Sequence, residues 1–134
     1  MAASKILIDT SAYAQFRRGQ PDIVQALAGA ERMFVSATTL GELEGGFLLG
    51  HRLEENRAAL RDFLGEPFVS VVQVDQAVAS LYGRFLAELR RAGTPVPTND
   101  IWIAASAQHV GAQLVTFDSD FARLRGLDVL LLRS

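Results

Sequence analysis

The sequence predicts an α/β protein, a three-layer α/β/α sandwich around a short, mostly parallel central sheet. Three observations lead there. Short apolar runs recur along the chain, each is followed by one or two segments with helical spacing, and strands joined through helical crossovers pair in parallel with both faces covered. The 134 residues, 49% hydrophobic and 21% charged, fit one domain spanning 1–134, which buries roughly two-thirds of its unfolded surface. No repeat, low-complexity tract or interdomain linker interrupts it.

KILID (5–9) is the first strand, an apolar run ending in an acid, and SAYAQFRR (11–18) follows with helical spacing. PDIVQALAGA (21–30) starts a helix at Pro21 and stops near Gly29. MFVSA (33–37) is the second strand, and TTLGELEGGFLLG (38–50) places Leu40, Leu43 and Phe47 at helical intervals. HRLEENRAALRDFLG (51–65) is amphipathic, with Leu53, Leu60 and Leu64 directed inward. FVSVVQV (68–74) is a β-branched strand, and DQAVASLYGRFLAELRRAG (75–93) a long helix closed by Gly93. A proline loop, TPVPT (94–98), leads to a helix from Asn99 to about Val110, then the strand QLVTF (113–117), a turn at DSDF and a last strand near 129–132.

Composition narrows the chemistry. Without cysteine there is no disulfide, thiolate zinc site or thiol nucleophile, and any metal must be held by oxygen or imidazole. A formal net charge of −2 argues against binding a polyanion by bulk positive charge, so a nucleic-acid partner would be met locally. All basic residues but Lys5 are arginines, whose planar fork suits phosphate. The amino-terminal stretch lacks the apolar core of a secretory signal, and no run approaches the ~18 apolar residues of a membrane span. The expected compartment is therefore the cytoplasm.

In an open parallel sheet the carboxyl ends of the strands share one edge, where ligands bind at the switch in strand order. Asp9 ends the first strand and Asp118 the QLVTF strand, so both point to that edge. Asp100 opens the helix of PTNDIWIAASA, and a crossover helix begins at the edge its preceding strand runs toward. Glu42 has Gly45 and Gly46 one turn on, which suggests a slim helix face in close approach to the chain, with Glu42 looking inward. Each acid has a plain explanation when taken alone. Asp9 reads as a helix cap, Asp100 as a first-turn acid behind a cap at Thr98 or Asn99, Asp118 and Asp120 as turn formers, and Glu42 as a solvated helix residue.

Together they are harder to explain so plainly. At about 6 Å and an effective dielectric near 20, each ionised pair costs about 3 kcal/mol, so four such acids sum to roughly 17 kcal/mol. A whole domain is stable by only about 5–15 kcal/mol. The cluster needs a counter-ion or must bind protons, and an all-oxygen set selects a hard divalent cation, Mg²⁺ or Mn²⁺. In this reading the N–H groups at the helix start hold Asp100 ionised and aimed, while Ile101, Trp102 and Ile103 anchor it to the core.

The motifs ILIDTSAY, SATTLGELEGG, TNDIWIAASA and LVTFDSDF, in this order from about Lys5 onward, resemble the PIN domain, and within it the VapC-type toxins of type II toxin–antitoxin pairs. The resemblance implies a PIN-like sandwich and a Mg²⁺- or Mn²⁺-dependent endoribonuclease that hydrolyses RNA through metal-activated water. It implies catalytic roles for Asp9, Glu42, Asp100 and Asp118, with Asp9, Asp100 and Asp118 on the metal and Asp120 as an accessory acid. Thr10, Ser11 and Thr116 lie in the same motifs and are placed to orient carboxylates or water. The implied partners are RNA, a cognate antitoxin whose tail covers the site, and a second copy of the chain in a homodimer.

Arg17 and Arg18, about two turns beyond Asp9, are the candidate RNA contacts. Arg90 and Arg91 read as helix-end charges. His51 and His109 belong to no acidic motif and read as structural or solvated. Two other functions compete: an inert PIN-fold binding module, and a receiver-like phosphate-signalling domain. A receiver needs a lysine near its late strands, and the sole lysine is Lys5.

Overall fold

In the structure, a computed structural model that describes residues 3–133, β1 (Lys5–Ile8) occupies the centre of a five-stranded sheet. Its apolar residues alternate sides: Ile6 and Ile8 enter one core cluster and Leu7 the other, as a strand covered on both faces requires. The remaining strands are β2 (Arg32–Ser36), β3 (Val69–Val72), β4 (Gln113–Thr116) and β5 (Val129–Leu131). They lie in the order β3-β2-β1-β4-β5. All four pairings are parallel, so the expectation of a mostly parallel sheet is met in full.

The crossover from β1 to β2 carries α1 (Thr10–Arg17) and α2 (Pro21–Ala28), and that from β2 to β3 carries α3 (Ala37–Leu49) and α4 (Leu53–Leu64). All four cover one face, where Tyr13, Ile23, Leu27, Leu43 and Leu60 are buried. The return from β3 to β4 carries α5 (Gln76–Ala92) and α6 (Thr98–Val110) across the other face, burying Phe85, Leu89, Ile101 and Ile103. Three layers result, and the strand order turns back at β1, which pairs with β2 on one side and β4 on the other.

The helix starts follow local chemistry. Asp9, Ser36 and Asp75 adopt extended backbone and accept the N–H groups of Ala12, Thr39 and Val78, capping α1, α3 and α5. Pro21 stands in the first turn of α2, as its sequence predicts. Gly93 and Gly111 end α5 and α6 at φ 68°, a left-handed conformation that favours glycine.

Three expectations are corrected. The fourth helix starts at Leu53, leaving His51 in the preceding turn. DSDF is a 3-10 turn over Ser119–Arg123, capped by Asp118. The glycines of α3 do not serve close packing: Gly41, Gly45 and Gly46 are exposed, and a Cβ on any of them would meet open space.

Candidate active site

β1 and β4 are neighbours at the strand reversal, where an open parallel sheet leaves a crevice beyond the carboxyl ends of its strands. Their register pairs Ile8 with Val115, so the next residues, Asp9 and Thr116, come side by side. Thr116 Oγ1 donates to Asp9 Oδ2 at 2.6 Å. Asp9 also accepts Ser11 Oγ at 2.8 and 3.0 Å and the Ala12 N–H at 2.8 Å. At 4% exposure, its carboxyl is raised above the ordinary range by burial, against the lowering effect of these hydrogen bonds and with a smaller push from Asp118.

Glu42 comes from α3 on the other side of α1. Its Oε1 accepts Thr10 Oγ1 at 2.6 Å, and its Oε2 accepts the Asn99 side-chain amide at 3.4 Å. The first contact ties α3 to the start of α1, the second to the first turn of α6. Thr10, Ser11 and Thr116 each donate a hydrogen bond to one of these carboxylates.

Asp100 lies in the first turn of α6, with Asp118 and Asp120 across from it at the 3-10 turn. The Asp120 N–H donates to Asp118 Oδ1 at 2.9 Å, which fixes that turn. One carboxylate oxygen each from Asp100, Asp118 and Asp120 falls within 4.8 Å of the others. Burial first, then the charges of Asp118, Glu42, Asp120 and Asp9, push Asp100 up to about 7. Asp100 thus feels the charge of all four other acids, and Asp9 that of Asp118. Among the described residues the one ion pair made by these acids is with Arg123, whose Nη1 stands 3.5 Å from Asp120 Oδ1 at a half-exposed position.

The helix start does not hold Asp100 in the way its sequence suggests. No N–H donates to its carboxyl among the described residues, and its own N–H bonds the Pro97 carbonyl at 3.0 Å. Neither Thr98 nor Asn99 caps α6. Asn99 turns to Glu42 instead, and its part in the site is the contact that sequence reasoning missed, although its place beside Asp100 is the signal that pointed there.

A set of carboxylates with two raised acids and a lone peripheral arginine fits a hard divalent cation, which would relieve the repulsion and meet only oxygen donors. The sole lysine, Lys5, opens β1 at the edge opposite the acids, so the lysine of a receiver site has no counterpart here.

A PIN domain signature spans residues 6–127 of the chain. The chain belongs to the PIN-domain family. Within the family it is similar to "Ribonuclease VapC4" of Mycobacterium tuberculosis, with 33% identity over 97% of this chain and 98% of that one. Its fold superposes on DNA-bound VapBC from Salmonella typhimurium with a TM-score of 0.83, at 29% identity over 94% of this chain and 96% of the other. VapBC-5 of Mycobacterium tuberculosis, described as a member of the VapBC family of toxin–antitoxin systems, matches with a TM-score of 0.71 and 29% identity over 98% and 99%. In this PIN domain, side chains from the four motifs quoted from its sequence meet beyond the carboxyl ends of β1 and β4. Arg17 and Arg18 lie at the far end of α1, exposed, and His109 is exposed near Asp75, 3.9 Å away. No described helix is long and apolar enough to cross a membrane.

Proposed function

We propose that this PIN domain is a divalent-metal-dependent endoribonuclease, the toxin half of a toxin–antitoxin pair. The observation that carries the reading is the convergence of five acids, from the end of β1, α3, α6 and the 3-10 turn with its cap, at one edge of the sheet, where burial and the four other charges push Asp100 up to about 7. Its similarity to a ribonuclease over nearly the whole chain and to structures of toxin–antitoxin complexes supports the same function.

Asp9, Asp100 and Asp118, joined by Asp120, would hold the ion. The chemistry supplied by Mg²⁺ or Mn²⁺ at such a site is Lewis-acid activation of water and neutralisation of charge on the phosphodiester. Thr116, Ser11 and the Ala12 N–H fix the Asp9 carboxylate so that it needs no rearrangement when substrate arrives. Glu42, held by Thr10 through Oε1 and only distantly by Asn99 through Oε2, keeps acceptor capacity on Oε2 to orient a water. No histidine enters this scheme.

In the cell the partners on this reading are RNA, an antitoxin that masks the acids and a second copy of the chain, with the cytoplasm as the working compartment. RNA cleavage measured in Mn²⁺, with and without EDTA, beside an Asp100→Asn variant tests the proposal. Cleavage should need the metal and fall at least a hundredfold in the variant. Undiminished cleavage by Asp100→Asn would remove the metal site, and failure to cleave RNA in either Mg²⁺ or Mn²⁺ would favour an inert binding module.

A further inference from the structure

An acidic crevice repels the substrate this function requires, so an RNA strand crossing it needs compensating positive charge close by. Such charge gathers about two helical turns away. Thr10 bonds Glu42; one turn further along α1 stands Tyr13, and beside Glu42 on α3 stands Leu43, and both line a cleft of ≈480 Å³. Arg17 and Arg18 at the end of α1 and Arg52 before α4 open onto the same cleft, with Asn56 as a further donor and Glu55 as its one acid.

Among the described residues none of these three arginines lies in an ion pair, whereas Arg57 and Arg123 do. Arg17 lines the cleft together with the buried Tyr13, whose phenol feels its charge. Arg52 occupies the cap position of α4 without a side-chain hydrogen bond to the helix, a site where an acceptor is preferred and a cation is not. Three guanidinium groups from two segments thus face one cavity without a protein partner. At 1.5 Å per residue, Arg17 lies about 12 Å along α1 from Asp9, so a strand bound at the acids can reach it without leaving the surface.

We propose that this cleft is a second phosphate subsite, gripping the RNA backbone a short distance from the bond that is cut, with Arg17 and Arg52 as its principal contacts and Arg18 at its rim. The subsite rests on the ribonuclease reading, and its test is separable from it. Binding of a short single-stranded RNA is measured across a salt series on protein carrying Asp100→Asn, which leaves the RNA intact. Adding Arg17→Gln and Arg52→Gln should weaken binding about tenfold and make the log–log salt slope shallower by about 1.4, at roughly 0.7 per phosphate contact on a single strand. Adding Arg17→Lys and Arg52→Lys instead should keep most of the slope, which a packing role for the side chains would not do.

Unchanged affinity and slope in the glutamine variant overturn the subsite, as does absence of measurable RNA binding before those changes are made. If the glutamine variant loses affinity for an antitoxin while keeping its RNA affinity, the cleft belongs to a protein partner and the subsite is likewise overturned. Metal-dependent cleavage by the chain with Asp100 intact is read separately: its absence, with a salt-sensitive arginine contribution still present, would sink the nuclease and leave the subsite standing.

Discussion

At Asp100 a carboxyl that ionises near 3.8 in the unfolded chain is held to about 7 in the fold, by burial and then by four neighbouring acids. Between those values the native state binds more protons than the unfolded one, so the residue's contribution to stability is complete below about 3.8 and fades as pH rises through 7. Metal-free protein should therefore lose thermal stability from pH 5 to 7.5 more steeply than Asp100→Asn does. At pH 7.5 in EDTA the variant should be the more stable by on the order of 1–2 kcal/mol, a figure reduced for the partly exposed position. Thermal melts across that range check both. Thr116→Val keeps the buried shape but removes the 2.6 Å bond to Asp9, and should cost about 2 kcal/mol in urea unfolding. Asp9, Asp100 and Asp118 could be singled out because each stands beside a strand end or helix start, whereas Glu42, inside α3, was singled out only by the glycines that follow it. The role of Asn99 was not legible, since a polar residue before a helix reads equally well as a cap, and only the position of α3 decides that its amide meets Glu42. Nor was the place of Asp120 among the three closest acids, which depends on the tight winding of Ser119–Arg123.

Among the elements, α6 and α3 show how far patterning reaches. The run Ile101–Ala107 predicts a helix packed deep in the core, and apart from Trp102 every one of those residues is buried. Helix boundaries moved by one or two residues, because caps such as Asp9 and turns such as His51–Arg52 are set by hydrogen bonds that periodicity does not register. The glycines of α3 misled for a related reason: a missing side chain signals either close contact or mere exposure, and sequence cannot say which. Because their Cβ positions are open, Gly46→Ala should stabilise the isolated protein by about 1 kcal/mol through helix propensity. The check is a rise in melting temperature with cleavage unchanged. Gly111→Ala, at φ 68°, should move the other way by about 1–2 kcal/mol.

For the molecule as a whole, alternation of strands and helices made the parallel sandwich readable, whereas the order β3-β2-β1-β4-β5 was not, since strand neighbours are fixed by long-range packing. That order brings the ends of β1 and β4 together, and the acids with them. If a divalent ion binds there only in the folded state, Mn²⁺ at a hundred times its dissociation constant should add about 2.7 kcal/mol of stability, and EDTA should remove it. Asp100→Asn should blunt that gain in the same calorimetric scan. The reversal of strand order at β1 also governs when the acidic group can assemble. Asp9 leaves the ribosome 109 residues ahead of Asp118, so a nascent chain halted before β4 carries three of the five acids without the strand and the 3-10 turn that close the group around them.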